Sequence, residues 1–147
     1  KKMKKSFYLM TLFTFISYSI GAQSVLGKWN SIDPDTGTKE SVIEVYKTGD
    51  KIFGKIIEIL KPEDKDKTCI ECTGKDKDQP IEGLVIVRGL SKDGDEWTDG
   101  KILDPKNGKF YKCYLTLENN DKLKLRGYIG FSLIGRTEYW YRVKSNE

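Results

Sequence analysis

Apolar and polar side chains alternate most clearly late in the chain. Over Phe110–Leu117, Tyr111, Cys113, Leu115 and Leu117 share one face, while Lys112 and Thr116 share the other. A period of two is the mark of a half-buried strand. After Asn119-Asn120-Asp121, Leu123 and Leu125 alternate with Lys122, Lys124 and Arg126. Upstream, Gly27-Lys28-Trp29 opens a first strand, closed by the turn residues Asp33-Pro34-Asp35-Thr36-Gly37. Ser41–Lys47 and Lys51–Leu60 follow around Gly49-Asp50, and Gly54 marks a bend or bulge in the second of them. Gly83–Leu90 and Glu96–Leu103 flank Asp93-Gly94, and Asp104-Pro105-Lys106-Asn107-Gly108 turns into the strand at Phe110. No segment has the helical period.

The closing stretch, Lys122–Val143, organises the rest. It reads as strands Lys122–Tyr128 and Arg136–Val143 joined by the apolar, glycine-flanked crossing Ile129–Gly135. In the last strand Tyr139, Tyr141 and Val143 share one face and Arg136, Glu138, Trp140 and Arg142 the other. Either face could point inward; placing Trp140 inward lets Trp29 and an arginine form a stacked plug at one end, the alternative being arginines as exposed rim charges. The total is about eight short strands joined mostly by tight turns, which predicts an all-β, antiparallel up-and-down barrel. Eight strands enclose just enough room for side chains or one small ligand.

Composition bounds the function. Lys4 and Lys5, the apolar run Phe7–Ile20 and the small pair Gly21-Ala22 form the three-part pattern of a signal peptide over residues 1–22. The run falls short of the roughly 20 residues a spanning helix needs. No cysteine follows it to carry a lipid anchor. The expectation is therefore a single barrel domain over 23–147, periplasmic or secreted, with no membrane span left after cleavage. The leader carries four of the chain's lysines, so residues 23–147 hold 22 basic and 22 acidic side chains. That neutrality removes the main electrostatic argument for nucleic acid or an anionic membrane as partner. The absence of histidine excludes serine–histidine and cysteine–histidine nucleophile pairs and histidine-bearing zinc sites.

The stretch 61–80 interrupts the strands with five lysines, six acids and Cys69-Ile70-Glu71-Cys72. Its alternating charges read as a solvated loop, with a functional loop as the alternative. A Cys69–Cys72 disulfide would leave Cys113 as a buried free thiol on an apolar strand face. A bond from Cys113 to either loop cysteine would instead pin the loop to the barrel wall. Spacing does not choose between them. A reactive Cys-x-x-Cys wants a helix N-terminus or a nearby cation, and no βαβ pattern surrounds this one. Asp64-x-Asp66, Asp76-x-Asp78 and Asp93-x-Asp95 lack the remainder of a calcium loop. Asp104 suits a turn cap better than catalysis.

Gly27-Lys28-Trp29 with Arg142 resembles the calycin signature of lipocalin-type barrels, a glycine-x-tryptophan packed by a late arginine. A longer ordered set resembles the bacterial domain-of-unknown-function 2147 family. It runs Gly27-Lys28-Trp29, Cys69-x-x-Cys72, Pro80-Ile81-x-Gly83-Leu84, Gly100–Pro105, Gly108-x-x-Tyr111-x-Cys113, Arg126-Gly127-Tyr128-x-Gly130 and Gly135-Arg136-Thr137-x-x-Trp140-x-Arg142. The resemblance implies an exported, lipocalin-like barrel and carries no established activity.

The functional expectation is a non-enzymatic barrel without cofactor or metal that binds a small hydrophobic or amphipathic molecule. Trp29, Tyr128, Arg136 and Trp140 are the candidate ligand contacts, and Gly27, Trp29 and Arg142 the structural closure. The alternatives are a protein-interaction module using loop 61–80 and a thiol–disulfide protein using Cys69 and Cys72.

Overall fold

Turn chemistry sets where each strand stops. After the first strand, Asp33 Oδ1 accepts the backbone N–H groups of Asp35 (2.9 Å) and Thr36 (3.2 Å), which reverses the chain. The computed structural model describes residues 23–144, so the expected leader at 1–22 lies outside the described residues. Eight strands follow in order: β1 (Gly27–Ile32), β2 (Lys39–Thr48), β3 (Lys51–Ile59), β4 (Val85–Asp93), β5 (Glu96–Asp104), β6 (Lys109–Asn119), β7 (Lys122–Tyr128) and β8 (Gly135–Arg142). Each pairs antiparallel with the next, and β8 returns to β1, closing the barrel. Trp29 lies opposite Arg142, Asn30 opposite Tyr141, and Ser31 opposite Trp140. Closure leaves the sheet without an edge strand.

This up-and-down order gives the barrel two unlike ends. One carries the tight turns after β2, β4 and β6 together with the segment before Gly27. The other, the mouth, carries the β1–β2, β3–β4, β5–β6 and β7–β8 connections. Inward rows follow the register. Trp29, Ile43 and Val45 from β1 and β2 face Cys113, Leu115 and Leu125 from β6 and β7, all buried. Trp140 is inward, the placement that the expected plug favours where alternation alone leaves both faces of β8 open.

The long β3–β4 connection departs from the sequence reading. Expected as a solvated loop, it is instead fixed to the outside of the barrel. Two short 3₁₀ turns, Pro62–Asp64 and Gly74–Asp76, and a bridge between Thr68 and Pro80 give it internal order. Asp76 is buried and accepts Arg88 Nη2 of β4 at 2.8 Å. Val87 and Ile102 face inward as a registered pair, so their neighbours Ile86 and Leu103 point outward. Both are nonetheless buried, in one apolar cluster with Cys69 and Cys72. The connection thus covers a patch of outer wall that β4 and β5 leave apolar. Charge alternation does suit its exposed lysines and acids, but the two cysteines and Asp76 make its inner face.

Candidate functional site

Three places in the barrel carry chemistry: the closed end, the inner strip leading from the mouth, and the loop-covered outer wall.

At the closed end Trp29 is fully buried and donates Nε1–H to Val25 O at 2.9 Å. The Arg142 guanidinium lies over its ring, 4.1 Å from the centroid. Arg142 Nη1 donates to Leu26 O (3.1 Å), Nη2 to Ser24 O (2.7 Å), and Nε to Asn120 O. One planar fork therefore ties the segment before β1 to the β6–β7 turn, a task that suits arginine and not lysine. Gly27 has φ +124°, and a Cβ there would sit 3.1 Å from Arg142 Nη1. The backbone conformation and the guanidinium together explain why glycine occupies that position.

The inner strip begins at the mouth with Arg136, whose Nη2 donates to Glu138 Oε1. Further in along the same face of β8 comes Trp140, and across from it Ser31, whose hydroxyl lies 2.8 Å from that of Ser41. Trp140 is 1% exposed, yet its Nε1 meets no acceptor among the described residues. A buried donor without a partner costs about 1–3 kcal/mol. Beside this strip, on the neighbouring strand, β7 presents Leu123, Leu125 and Gly127 to the same interior. This stretch of inner wall therefore sets polar positions of β8 and β1 next to apolar ones of β7.

The four expected ligand contacts do not gather around one space. Trp29 belongs to the closed end and is sealed in the core. Tyr128 faces outward, opposite Lys112, with its ring 6.3 Å from that of Tyr114. Its place in β7 sets the difference: Leu123, Leu125 and Gly127 take the inner positions, so residue 128 falls outside. Arg136 stands exposed at the rim of the inner face, and Trp140 lies below it.

Cys69 and Cys72 form a disulfide, and both are buried. Cys113 is free and buried, and desolvation pushes its thiol up to about 12. Beside the loop, a depression of about 480 Å³ opens on the outer wall, with Tyr46, Phe53, Arg88, Asp76, Lys75 and Gln79 among its lining. Tyr46 and Phe53 stack with centroids 5.9 Å apart. Arg88 lowers the pKa of Asp76, chiefly through their hydrogen bond. Sequence reasoning did not reach this outer site. The available signal was the run Leu84–Val87, apolar at every position rather than at every second one, as in strands covered on both faces. Among the described residues no group of three or more metal-ligating side chains converges. No described helix is long and apolar enough to cross a membrane.

An eight-stranded closed barrel, plugged at one end by an early tryptophan under a late arginine, is the architecture of lipocalin-like proteins. The chain belongs to the family described as "Uncharacterized protein conserved in bacteria" (DUF2147), which matches residues 27–142. A solved structure, protein HP1028 from Helicobacter pylori, described as belonging to the lipocalin family, is similar in fold. It is 18% identical, with a TM-score of 0.73 over 84% of this chain and 85% of that one. A comparison with curated proteins found no match.

Proposed function

We propose that this protein is an exported barrel that binds a small amphipathic molecule through its mouth. The carrying observation is the buried, unpartnered Nε1–H of Trp140 on an inner strip flanked by the leucines of β7. A ligand with an oxygen acceptor would satisfy that donor by entering from the mouth and displacing packing around Trp140, since Leu123 and Leu125 beside it are already buried. Ser31 and Ser41 would offer hydroxyls one strand further, and Arg136 a cation at the rim. The leader pattern at 1–22 and the buried disulfide support a compartment outside the cytoplasm.

Dodecanoate is a suitable probe, followed by the three indole N–H resonances of Trp29, Trp97 and Trp140. Binding should move the Trp140 resonance, and Trp140→Phe should weaken dodecanoate affinity by roughly tenfold or more, the worth of one hydrogen bond to a charged acceptor. Equal affinity in that variant, or no retention of dodecanoate or dodecanol at all, would refute the reading.

Contact with another protein through the 61–80 segment is a second reading, favoured by the depression beside it, lined by aromatic side chains and charges of both signs. Tyr46→Ala together with Lys75→Glu should then abolish capture of such a partner without lowering the melting temperature. A thiol-exchange role is poorly served by two buried sulfurs, since exchange requires access to one of them.

A further inference from the structure

We infer that the β7–β8 tip, Ile129–Ile134, docks on the surface of an anionic phospholipid bilayer. Four apolar side chains stand in solvent there: Ile129 is 64% exposed, Phe131 60%, Leu133 84% and Ile134 58%. They form most of one six-residue turn at the mouth, and clustered exposure of this kind marks an interaction surface.

The backbone of the tip is prepared for a dry environment. Ile129 N–H donates to Ile134 O (3.0 Å), Phe131 N–H to Ile129 O (2.9 Å), and Ile134 N–H to Phe131 O (3.1 Å). From the outer face of β7, Arg126 donates Nε and Nη2 to Ser132 O (3.0 and 2.8 Å) and Nη2 to Leu133 O (3.3 Å). Its Nη1 reaches Thr137 Oγ1 at 3.0 Å. Five of the six carbonyls of the tip therefore already have a donor. Bare carbonyls are what keep irregular turns out of hydrocarbon, and here arginine and the turn itself remove most of that cost.

Charge points to the same occupant. Residues 23–147 are neutral overall, but the neutrality is a sum of unlike halves. Residues 23–95, through β4, carry 12 basic and 15 acidic side chains; residues 96–144, β5 to β8, carry 10 basic and 6 acidic. The register puts Lys101 opposite Lys112, and Lys112 opposite Tyr128, on the outer wall leading to the tip. Lys124 lies on the same wall, with its ammonium over the Tyr114 ring at 5.8 Å. Apolar residues at a tip, with tyrosines and lysines behind them, match the depth profile of a bilayer interface with anionic headgroups. A two-fold pair of chains through this wall would set its excess positive charge against itself, which disfavours a second copy as the occupant.

This inference is independent of any ligand in the barrel. The chain from Gln23 onward holds every strand of the closed barrel and is the protein to test. It should sediment with vesicles of phosphatidylcholine containing one-third phosphatidylglycerol, and poorly with phosphatidylcholine alone. Phe131→Ser with Leu133→Ser, and separately Lys112→Glu with Lys124→Glu, should each weaken that binding by roughly tenfold or more. These side chains lie outside the core, so the near-ultraviolet circular dichroism and melting temperature should not change. Equal binding to neutral vesicles, or unaltered binding by both variants, overturns the proposal. So does a dimer in light scattering that the serine variant dissolves while vesicles bind neither form.

Discussion

Replacing Trp29 by alanine tests the closure of the barrel most directly. The side chain is fully buried, its Nε1–H donates to Val25 O at 2.9 Å, and Arg142 stacks 4.1 Å from its ring centroid. Loss of a large core aromatic costs about 3–5 kcal/mol, and Trp29 adds a hydrogen bond whose deletion leaves a carbonyl short of a donor. Arg142→Ala should cost about 2–4 kcal/mol, because three backbone carbonyls lose a charge-assisted donor, each bond being worth about 1.5–3 kcal/mol without full additivity. Stacking gives a finer test. In a double-mutant cycle with Trp29→Leu and Arg142→Met, the coupling should be about 0.5–2 kcal/mol. Urea unfolding followed by far-ultraviolet circular dichroism, with the disulfide intact, supplies each free energy. A cost below about 1 kcal/mol for Trp29→Ala would put it with surface substitutions. Together with a coupling indistinguishable from zero, that would refute the idea that the two residues lock the sheet.

Three other outcomes follow from single contacts. Gly108 has φ +69°, and a Cβ there would lie 1.9 Å from Glu71 O, so Gly108→Ala should cost about 2–4 kcal/mol through backbone strain and collision. Amide hydrogen exchange should speed at Cys72, and an undisturbed 69–72 segment would contradict this contact. Cys113, raised to about 12 by burial, should resist a disulfide-exchange reagent at neutral pH until the protein unfolds. Because the unfolded thiol ionises near 9.0, native stability should decline above that pH, and Cys113→Ala should flatten the decline. At the mouth, Lys61 Nζ lies 2.8 Å from Asp33 and 2.9 Å from Glu40, and its hydrogen bond lowers the Asp33 carboxyl from 3.8 to about 2. The Asp33 contribution is therefore present at neutral pH and lost as pH falls from about 4 through about 2. The melting temperatures of wild type and Asp33→Asn should converge over that window, and a gap that persists unchanged at its acid end would contradict the assignment.

Strand number and the inner face of the barrel were readable in the order of residues because period-two alternation is local. Cys113, Leu115, Leu123 and Leu125 declare their side without knowledge of any neighbour. Gly27, Trp29 and Arg142 were legible for a different reason: their resemblance to a known signature linked positions more than a hundred residues apart. The 61–80 segment was not legible. Its charges follow the rule for solvated loops, whereas its placement depends on Ile86, Leu103 and Arg88 on strands it meets only after the sheet has rolled. Tyr128, by contrast, shares the parity of Lys122, Lys124 and Arg126, so its outward face was readable and its choice as a ligand contact went against that pattern. A neutral total says nothing about which strands lie side by side, and a strand's parity says nothing about its depth below the mouth. Local pattern determined that the chain forms eight strands and which side chains are apolar enough to be inside. Only closure of the sheet decided which wall is covered by the disulfide loop, which donor is stranded beneath the mouth, and which apolar turn remains in solvent, because each depends on contacts between residues far apart in the chain.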